Sequence, residues 1–297
     1  MLKQLKIWIP LFRPWSVTAT LVPALLALAA VHTHPSFSMG RWILAVIAAA
    51  PLQFACNLLN TWGDDRSGVD GVAGAFITTP QLQSGLVSSR QVLGAAIACL
   101  AFTFLCGIPL LFVSFRPDIT LNLRLAAVAA ISFLGATNYT TGLRFKYYGL
   151  GVPFVFFLMG LFAYAGFWAA AAPTAPFTSG MFLTSLPICC LVAVILHGND
   201  MRDITSDTAA GITTTASRLG PRGALILFWA LHLIPYAVVL ATGRFWPLCL
   251  LPLTLAVCRK AWRVYRKNPS APAWKGLERA SGGLHMLFGV LYAFSCA

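Results

Sequence analysis

Asn57-Leu-Leu-Asn-Thr-Trp-Gly-Asp-Asp-Arg-Ser-Gly-Val-Asp70 closes an apolar run that begins near Arg41. Three of the chain's eight acidic residues, Asp64, Asp65 and Asp70, lie in it. A second stretch, His197-Gly-Asn-Asp-Met-Arg-Asp-Ile-Thr-Ser-Asp207, also ends an apolar run and holds three more, Asp200, Asp203 and Asp207. Only Asp118 and Glu278 lie elsewhere. Carboxylates so scarce and so grouped predict two motifs that face each other.

A mean hydropathy of +0.77, with 58% hydrophobic and 10% charged residues, excludes an ordinary soluble domain. Apolar runs of about 20 residues recur along the whole chain, which reads as an all-α, polytopic membrane protein. One domain is expected over residues 1–297. Nine spans are predicted, at roughly 15–31, 41–62, 91–114, 122–140, 150–171, 180–198, 224–241, 244–258 and 281–296. Lys3 and Lys6 followed by apolar sequence could open a signal peptide, but the run leads into further spans and no cleavage site stands out, so it reads as the first span.

Nine spans with a cytoplasmic N-terminus put 17 of the 21 Lys and Arg residues on the cytoplasmic side. Arg41, Arg116, Arg124 and Arg244 fall on the other. This asymmetry supports both the topology and the orientation. The same parity puts both acidic stretches, and the loop bearing Arg144 and Lys146, at the cytoplasmic face. The net charge of +13 does not signal nucleic acid, because the basic residues are confined to short loops between apolar runs.

Asn60 and Asp64 are four residues apart, as are Asp203 and Asp207, so each pair shares one face of a helix. Gly63 and Gly68 weaken helix beyond that point, so Asp70 is expected from a loop. Clustered carboxylates repel unless a cation neutralises them. Hard oxygen ligands with open positions suit Mg²⁺ completed by water and phosphate oxygens. Asn60, Asp64, Asp70, Asp203 and Asp207 are the expected metal ligands, with Asp64, Asp203 and Asp207 central to catalysis. Arg202, Arg144 and Lys146, with Tyr139 and Asn199 close by, are expected to bind the remaining phosphate oxygens. The bland alternative is that an acidic loop is merely solvated. Two clusters at matching positions weigh against it, although Asp65 points away from Asp64 on a helix and Asp200 fits either reading.

The histidines favour structural roles: His32 and His34 lie in the first external loop, and His232 and His285 stand alone within spans. His197, beside the second cluster, also reads as structural. The eight cysteines lack metal or framework spacing and read as small buried hydrophobes. Trp8, Trp15, Trp42 and Trp62 read as interfacial anchors, and Arg259–Lys267 as a loop touching anionic lipid.

The stretch from Asn60 to Asp70 resembles the first Asp-rich motif of UbiA-type intramembrane prenyltransferases. Asn199-Asp-Met-Arg-Asp-Ile-Thr-Ser-Asp207, followed by Gly211, Thr214 and Arg218-Leu-Gly220, resembles the second. The Arg-Asp-Ile-x-Ser-Asp pattern and Arg-Leu-Gly tail look most like the branch that prenylates 1,4-dihydroxy-2-naphthoate in menaquinone synthesis. Arg13-Pro-Trp-Ser and Lys146-Tyr-Tyr-Gly-Leu-Gly151 are similar to that branch too. Three positions depart from the family pattern: Thr61 stands where Asp often follows the Asn, Thr208 and Ile212 replace basic residues, and Val152 replaces an acid.

The resemblance implies nine helices around a central cavity capped by the two Asp motifs. It implies Mg²⁺-dependent transfer of a polyprenyl group from its diphosphate to an aromatic acceptor, with Arg13 holding the acceptor's carboxylate, and a place in the bacterial cytoplasmic membrane. Other acceptors of the same superfamily are 4-hydroxybenzoate, a haem precursor, a chlorophyllide and a glycerol phosphate lipid. A cation transporter would instead predict ionisable residues at mid-membrane depth and broken helices there. A non-catalytic assembly protein would not need metal-ligand spacing on two separate segments.

Overall fold

The computed structural model describes residues 2–67, 80–114, 120–139, 142–209 and 211–297. An N-terminal helix α1 (Leu2–Phe12) is followed by α2 (Thr18–Val31), α3 (Met39–Ser67), the short α4 (Pro80–Gln83) and α5 (Ser89–Gly107). Strands β1 (Phe112–Ser114) and β2 (Thr120–Leu121) pair antiparallel and lead to α6 (Leu123–Asn138). α7 (Gly151–Val155) and α8 (Ala163–Ala171) are joined by a π-helical segment, Phe156–Phe162. α9 (Gly180–Ala209), α10 (Thr215–Ala241), α11 (Leu251–Lys267) and α12 (Leu277–Cys296) complete the chain.

The fold is therefore an all-helical membrane protein. Among the described residues, five segments are long and apolar enough to cross a bilayer: Met39–Arg66, Ser89–Leu111, Gly151–Ala171, Gly180–Ala209 and Thr215–Ala241. Thr18–Val31 and Leu123–Asn138 are shorter apolar helices. Helices α9 and α10 pack along each other, α3 packs on α5, and α12 fits between α2 and α9. Isoleucine, leucine and phenylalanine side chains such as Ile43, Ile97, Leu105, Leu134 and Phe157 remain exposed on the outside, where hydrocarbon rather than water would meet them.

Several boundaries differ from those expected. α3 runs through Gly63 to Ser67, because packing against α5 outweighs the weak helix propensity of one glycine. Asp70 and Gly68 lie outside the described residues. α9 extends past residue 198 to Ala209, so the second acidic stretch is helical throughout. The eighth helix lies farther along than 244–258, with a 3₁₀ turn at Trp246–Leu250 ahead of it. The basic run from Arg259 to Lys267 is helical, not a loop. All eight cysteines are free, and Cys249 is exposed.

The end of the bundle away from the acidic motifs is fastened by arginines. Arg41 donates to the carbonyls of Ala170, Phe112 and Leu110 at 2.9, 2.8 and 2.6 Å. Arg124 donates to the carbonyls of Ala175 and Pro173. Ala170 is in the last turn of α8, whose carbonyls lack a partner within the helix, and the other acceptors lie in the connections that follow helices.

Within the bundle, Gly160 in the π-helical segment lies against α9, where a Cβ would come within 2.7 Å of the Cys189 Cα. Gly160→Ala should therefore lower the apparent Tm of the detergent-solubilised protein by several degrees, about 1–3 kcal/mol of overpacking. Thermal unfolding followed by circular dichroism checks this.

Candidate functional site

The two acidic helix ends come together across a short loop. After α6 the chain makes a 3₁₀ turn, Phe145–Tyr147, with Arg144 before it in the left-handed region at φ 54°. This loop is fixed to the entry of α10: the Thr215 hydroxyl donates to the Gly149 carbonyl at 3.0 Å, and Tyr148 bridges to Thr213. The turn presents Lys146 and Tyr147 to the end of α3. Lys146 Nζ lies 3.0 Å from both carboxylate oxygens of Asp64, and the Tyr147 hydroxyl donates to Asp64 Oδ1 at 2.8 Å.

Asp207, at the end of α9, is close enough for its charge to act on Lys146 as Asp64 does. Burial alone would lower the Lys146 ammonium. Asp64 first, then Tyr147 and Asp207, raise it on balance above the usual lysine range. Tyr139, just past α6, is shifted the same way for different reasons. Burial pushes its phenol up, and the charges of Asp200, Asp64 and Asp207 add to the rise. Carboxylates from both stretches thus surround Lys146 and Tyr139.

On α9 the spacing of Asn199, Arg202 and Asp203 builds a second cation-centred cluster. Arg202 donates to both oxygens of Asp203 and, at 3.1 Å, to Asn199 Oδ1. It also lies 3.3 Å from Glu278 Oε1 at the head of α12. Asp200 and Asp207 are buried, and neither carboxylate has a hydrogen bond or ion pair among the described residues.

Below these charges lies a cavity of about 1120 Å³. Its polar end carries Arg13, Asn60, Tyr139, Asn199, Arg202 and Glu278, and its walls are alanine, leucine, phenylalanine, valine and methionine. Arg13, in the left-handed region at φ 51°, donates to the Thr61 hydroxyl at 3.4 Å. Its loop is tied to α3 by Asn57 Nδ2, which donates to the Phe12 carbonyl and the Ser16 hydroxyl at 2.8 and 2.7 Å. Thr61, one of the departures from the family pattern, is itself 1% exposed and so forms part of this joint.

The expected site residues thus divide into groups. Asn60, Tyr139, Asn199, Arg202 and Arg13 line the cavity; Asp64, Lys146, Asp203 and Asp207 form the charged layer at its end. Arg144 is exposed and outside the lining, and Asp65 is exposed as well. Three participants went unassigned in the sequence. Tyr147 was detectable only through its neighbour Lys146, Asp200 fitted either reading, and Glu278 signalled itself only as a lone acid heading the last span. His197 is buried with Nε2 2.8 Å from the Ala224 carbonyl, a structural contact between α9 and α10.

Among the described residues, no three acidic, histidine or cysteine side chains converge closely enough to hold one ion. Lys146 and Arg202 occupy the faces of Asp64 and Asp203, and Asp70 is outside those residues. The donor chemistry nevertheless fits a hard divalent cation. Asp200 and Asp207 are buried without a paired cation, and Asn60 Oδ1 is buried with no hydrogen-bond partner.

A model of the UbiA prenyltransferase family matches residues 20–282. UbiA prenyltransferase domain-containing protein 1 of Homo sapiens is 29% identical over 292 residues, spanning 95% of this chain and 80% of that protein. The Xenopus tropicalis protein of the same name is 28% identical over 288 residues, spanning 95% and 79%. Among solved structures, a UbiA homolog from Archaeoglobus fulgidus bound to GPP and Mg²⁺ overlays with a TM-score of 0.66. It covers 97% of this chain and 98% of its own at 17% identity, a likeness of fold.

Asp64→Asn should lower the Lys146 pKa, since burial would then act with less opposition. The pH dependence of amine-reactive labelling, read by mass spectrometry at Lys146, checks the pairing; an unshifted profile would contradict it.

Proposed function

The chain belongs to the UbiA prenyltransferase family and is a membrane-embedded prenyltransferase, and on that premise we propose that it transfers a polyprenyl group from its diphosphate to 1,4-dihydroxy-2-naphthoate. The observation that carries the reading is the meeting of two motifs. Buried, unpaired carboxylates and two anchored cations cap one end of an apolar cavity of about 1120 Å³. That combination suits a diphosphate head with a hydrocarbon tail. The naphthoate acceptor, and with it a role in menaquinone synthesis in the bacterial cytoplasmic membrane, is supported by the Arg-Asp-Ile-x-Ser-Asp and Arg-Leu-Gly patterns. The acidic end faces the cytoplasm in this reading, supported by the distribution of Lys and Arg.

Asp64, Asp203 and Asp207 with Asn60 and Asp70 are the residues that would hold Mg²⁺, which when bound neutralises the diphosphate and the charge growing on the leaving group. Lys146, its charge secured by Asp64, supplies an ammonium donor to phosphate oxygens. Arg202 adds a planar guanidinium held in direction by Asp203, Asn199 and Glu278. Donors already oriented by their partners need little reorganisation as the allylic C–O bond breaks. The Tyr139 hydroxyl, buried with no hydrogen-bond partner among the described residues, offers one more donor at the polar end. The apolar walls keep water from the allylic cation until the electron-rich ring attacks. Arg13 holds the acceptor's carboxylate near the same end, and in the naphthoate branch that carboxylate leaves as CO₂.

Asp64→Ala and Asp203→Ala should each cut transfer by at least about a hundredfold while the protein remains folded in the membrane. Purified enzyme with radiolabelled polyprenyl diphosphate, Mg²⁺ and either 1,4-dihydroxy-2-naphthoate or 4-hydroxybenzoate provides the assay, with EDTA as the metal-free arm. Full activity in either variant would sink the assignment of the carboxylates. Prenylation of the benzoate alone would replace the acceptor and retain the site.

A further inference from the structure

We propose that Glu278 receives a ring hydroxyl of the aromatic acceptor, a role that rests on the aromatic-acceptor reading above. Among the described residues, buried polar atoms of cavity-lining residues without a hydrogen-bond partner include Asn60 Oδ1, Thr103 Oγ1, Tyr139 Oη and Glu278 Oε2. Asn60 and Tyr139 already have a part in holding the diphosphate and its cation, and Thr103 lies on α5, outside the charged layer. Glu278 Oε2 sits beside that layer and has no such part. A buried carboxylate oxygen left without a donor is costly, and a cavity built for a ligand is where such an atom finds its partner. The group that can satisfy it must donate a hydrogen, which a phenolic or naphtholic hydroxyl does and a diphosphate does not.

The position is fixed from two sides. Glu278 Oε1 faces Arg202 at 3.3 Å, and Arg202 is itself gripped by Asp203 and Asn199. Behind it, the backbone of Glu278 is pressed against α9 at Gly198, where a Cβ would meet Glu278 N and Cα at 3.1 and 3.2 Å. A side chain at 198 would press α12 back by a few tenths of an ångström from the second acidic motif. Glu278 also lies in the first turn of α12, where the helix dipole favours a carboxylate. Its side chain is 13% exposed. Its two oxygens are satisfied differently: Oε1 is held by the Arg202 guanidinium, and Oε2 is left without a donor. A hydroxyl donating to Oε2 is held beside the reacting end of the prenyl chain. The charge-assisted hydrogen bond raises the electron density of its ring without any proton being transferred.

The test uses the full-length protein in detergent, geranyl diphosphate, and 1,4-dihydroxy-2-naphthoate beside its 1,4-dimethoxy analogue. Glu278→Gln leaves Arg202 an amide oxygen and its contacts to Asp203 and Asn199, so geranyl diphosphate affinity should fall by less than the naphthoate KM rises. The substitution should raise the naphthoate KM on the order of tenfold or more, the cost of losing a charged acceptor. It should also shrink the preference for hydroxyl over methoxy, and Glu278→Asp, confirmed monodisperse like the Gln variant, should restore part of both. An unchanged KM and preference in Glu278→Gln would overturn the proposal. So would a parallel loss of geranyl diphosphate binding, which would mean that Glu278 acts only by holding Arg202. If wild-type enzyme geranylates neither the naphthoate nor 4-hydroxybenzoate, the aromatic-acceptor reading fails and this role fails with it.

Discussion

The ammonium of Lys146 is the contact on which the charged end of this molecule depends. Burial leaves little water to separate like charges, so carboxylates from α3 and α9 share one end of the bundle most readily with a cation near both. Lys146 lies 3.0 Å from Asp64 and within electrostatic reach of Asp207, and it comes from a loop anchored to α10 rather than from either acidic helix. The loop is thus the keystone. Its docking fixes where the cation lies, and the cation fixes how near the two motifs come. Arg202 repeats the arrangement on the other side, joining α9 to α12 through Asp203 and Glu278.

Much of this was legible in the sequence. The gathering of six acidic residues into two stretches marked both motifs, and the alternation of apolar runs with basic loops put them at one end. Asn60, Arg202 and Asn199, chosen for their nearness to those acids along the chain, and Tyr139, chosen for its nearness to Arg144 and Lys146, do line the cavity. What the sequence hid depends on contacts between distant segments. Tyr147 bonds Asp64 across 83 residues, and Glu278 meets Arg202 from the far end of the chain. Gly63 looks like a helix breaker by composition, and only the neighbouring α5 keeps α3 intact past it. Arg144 shows the converse: it is next but one to Lys146 in sequence, yet it is exposed at the left-handed turn and outside the cavity lining.

The two ends of the bundle also solve the same problem differently. Where the acids gather, cations are paired with carboxylates that a ligand can compete for. At the opposite end, Arg41 and Arg124 are bound to backbone carbonyls, which no ligand titrates or displaces easily. One end is chemically responsive and the other is a fixed base.

The π-helical segment Phe156–Phe162 gives the cavity wall an unusual phase. Side chains from this stretch and its flanking helices line the cavity at Val155, Met159, Ala163 and Phe167, and in parallel at Phe154, Leu158, Phe162, Gly166 and Ala170, a repeat of four. An α-helix has 3.6 residues per turn, so a four-residue step overshoots by about 40° and such a row would wind off the wall. The wider π turn winds back the other way. The result is a straight gutter rather than a spiral one, in which small rungs, Ala163, Gly166 and Ala170, alternate with Phe162 and Phe167 beyond Phe154 and Leu158. A linear isoprenoid laid in that gutter would meet the same face of the helix at every unit.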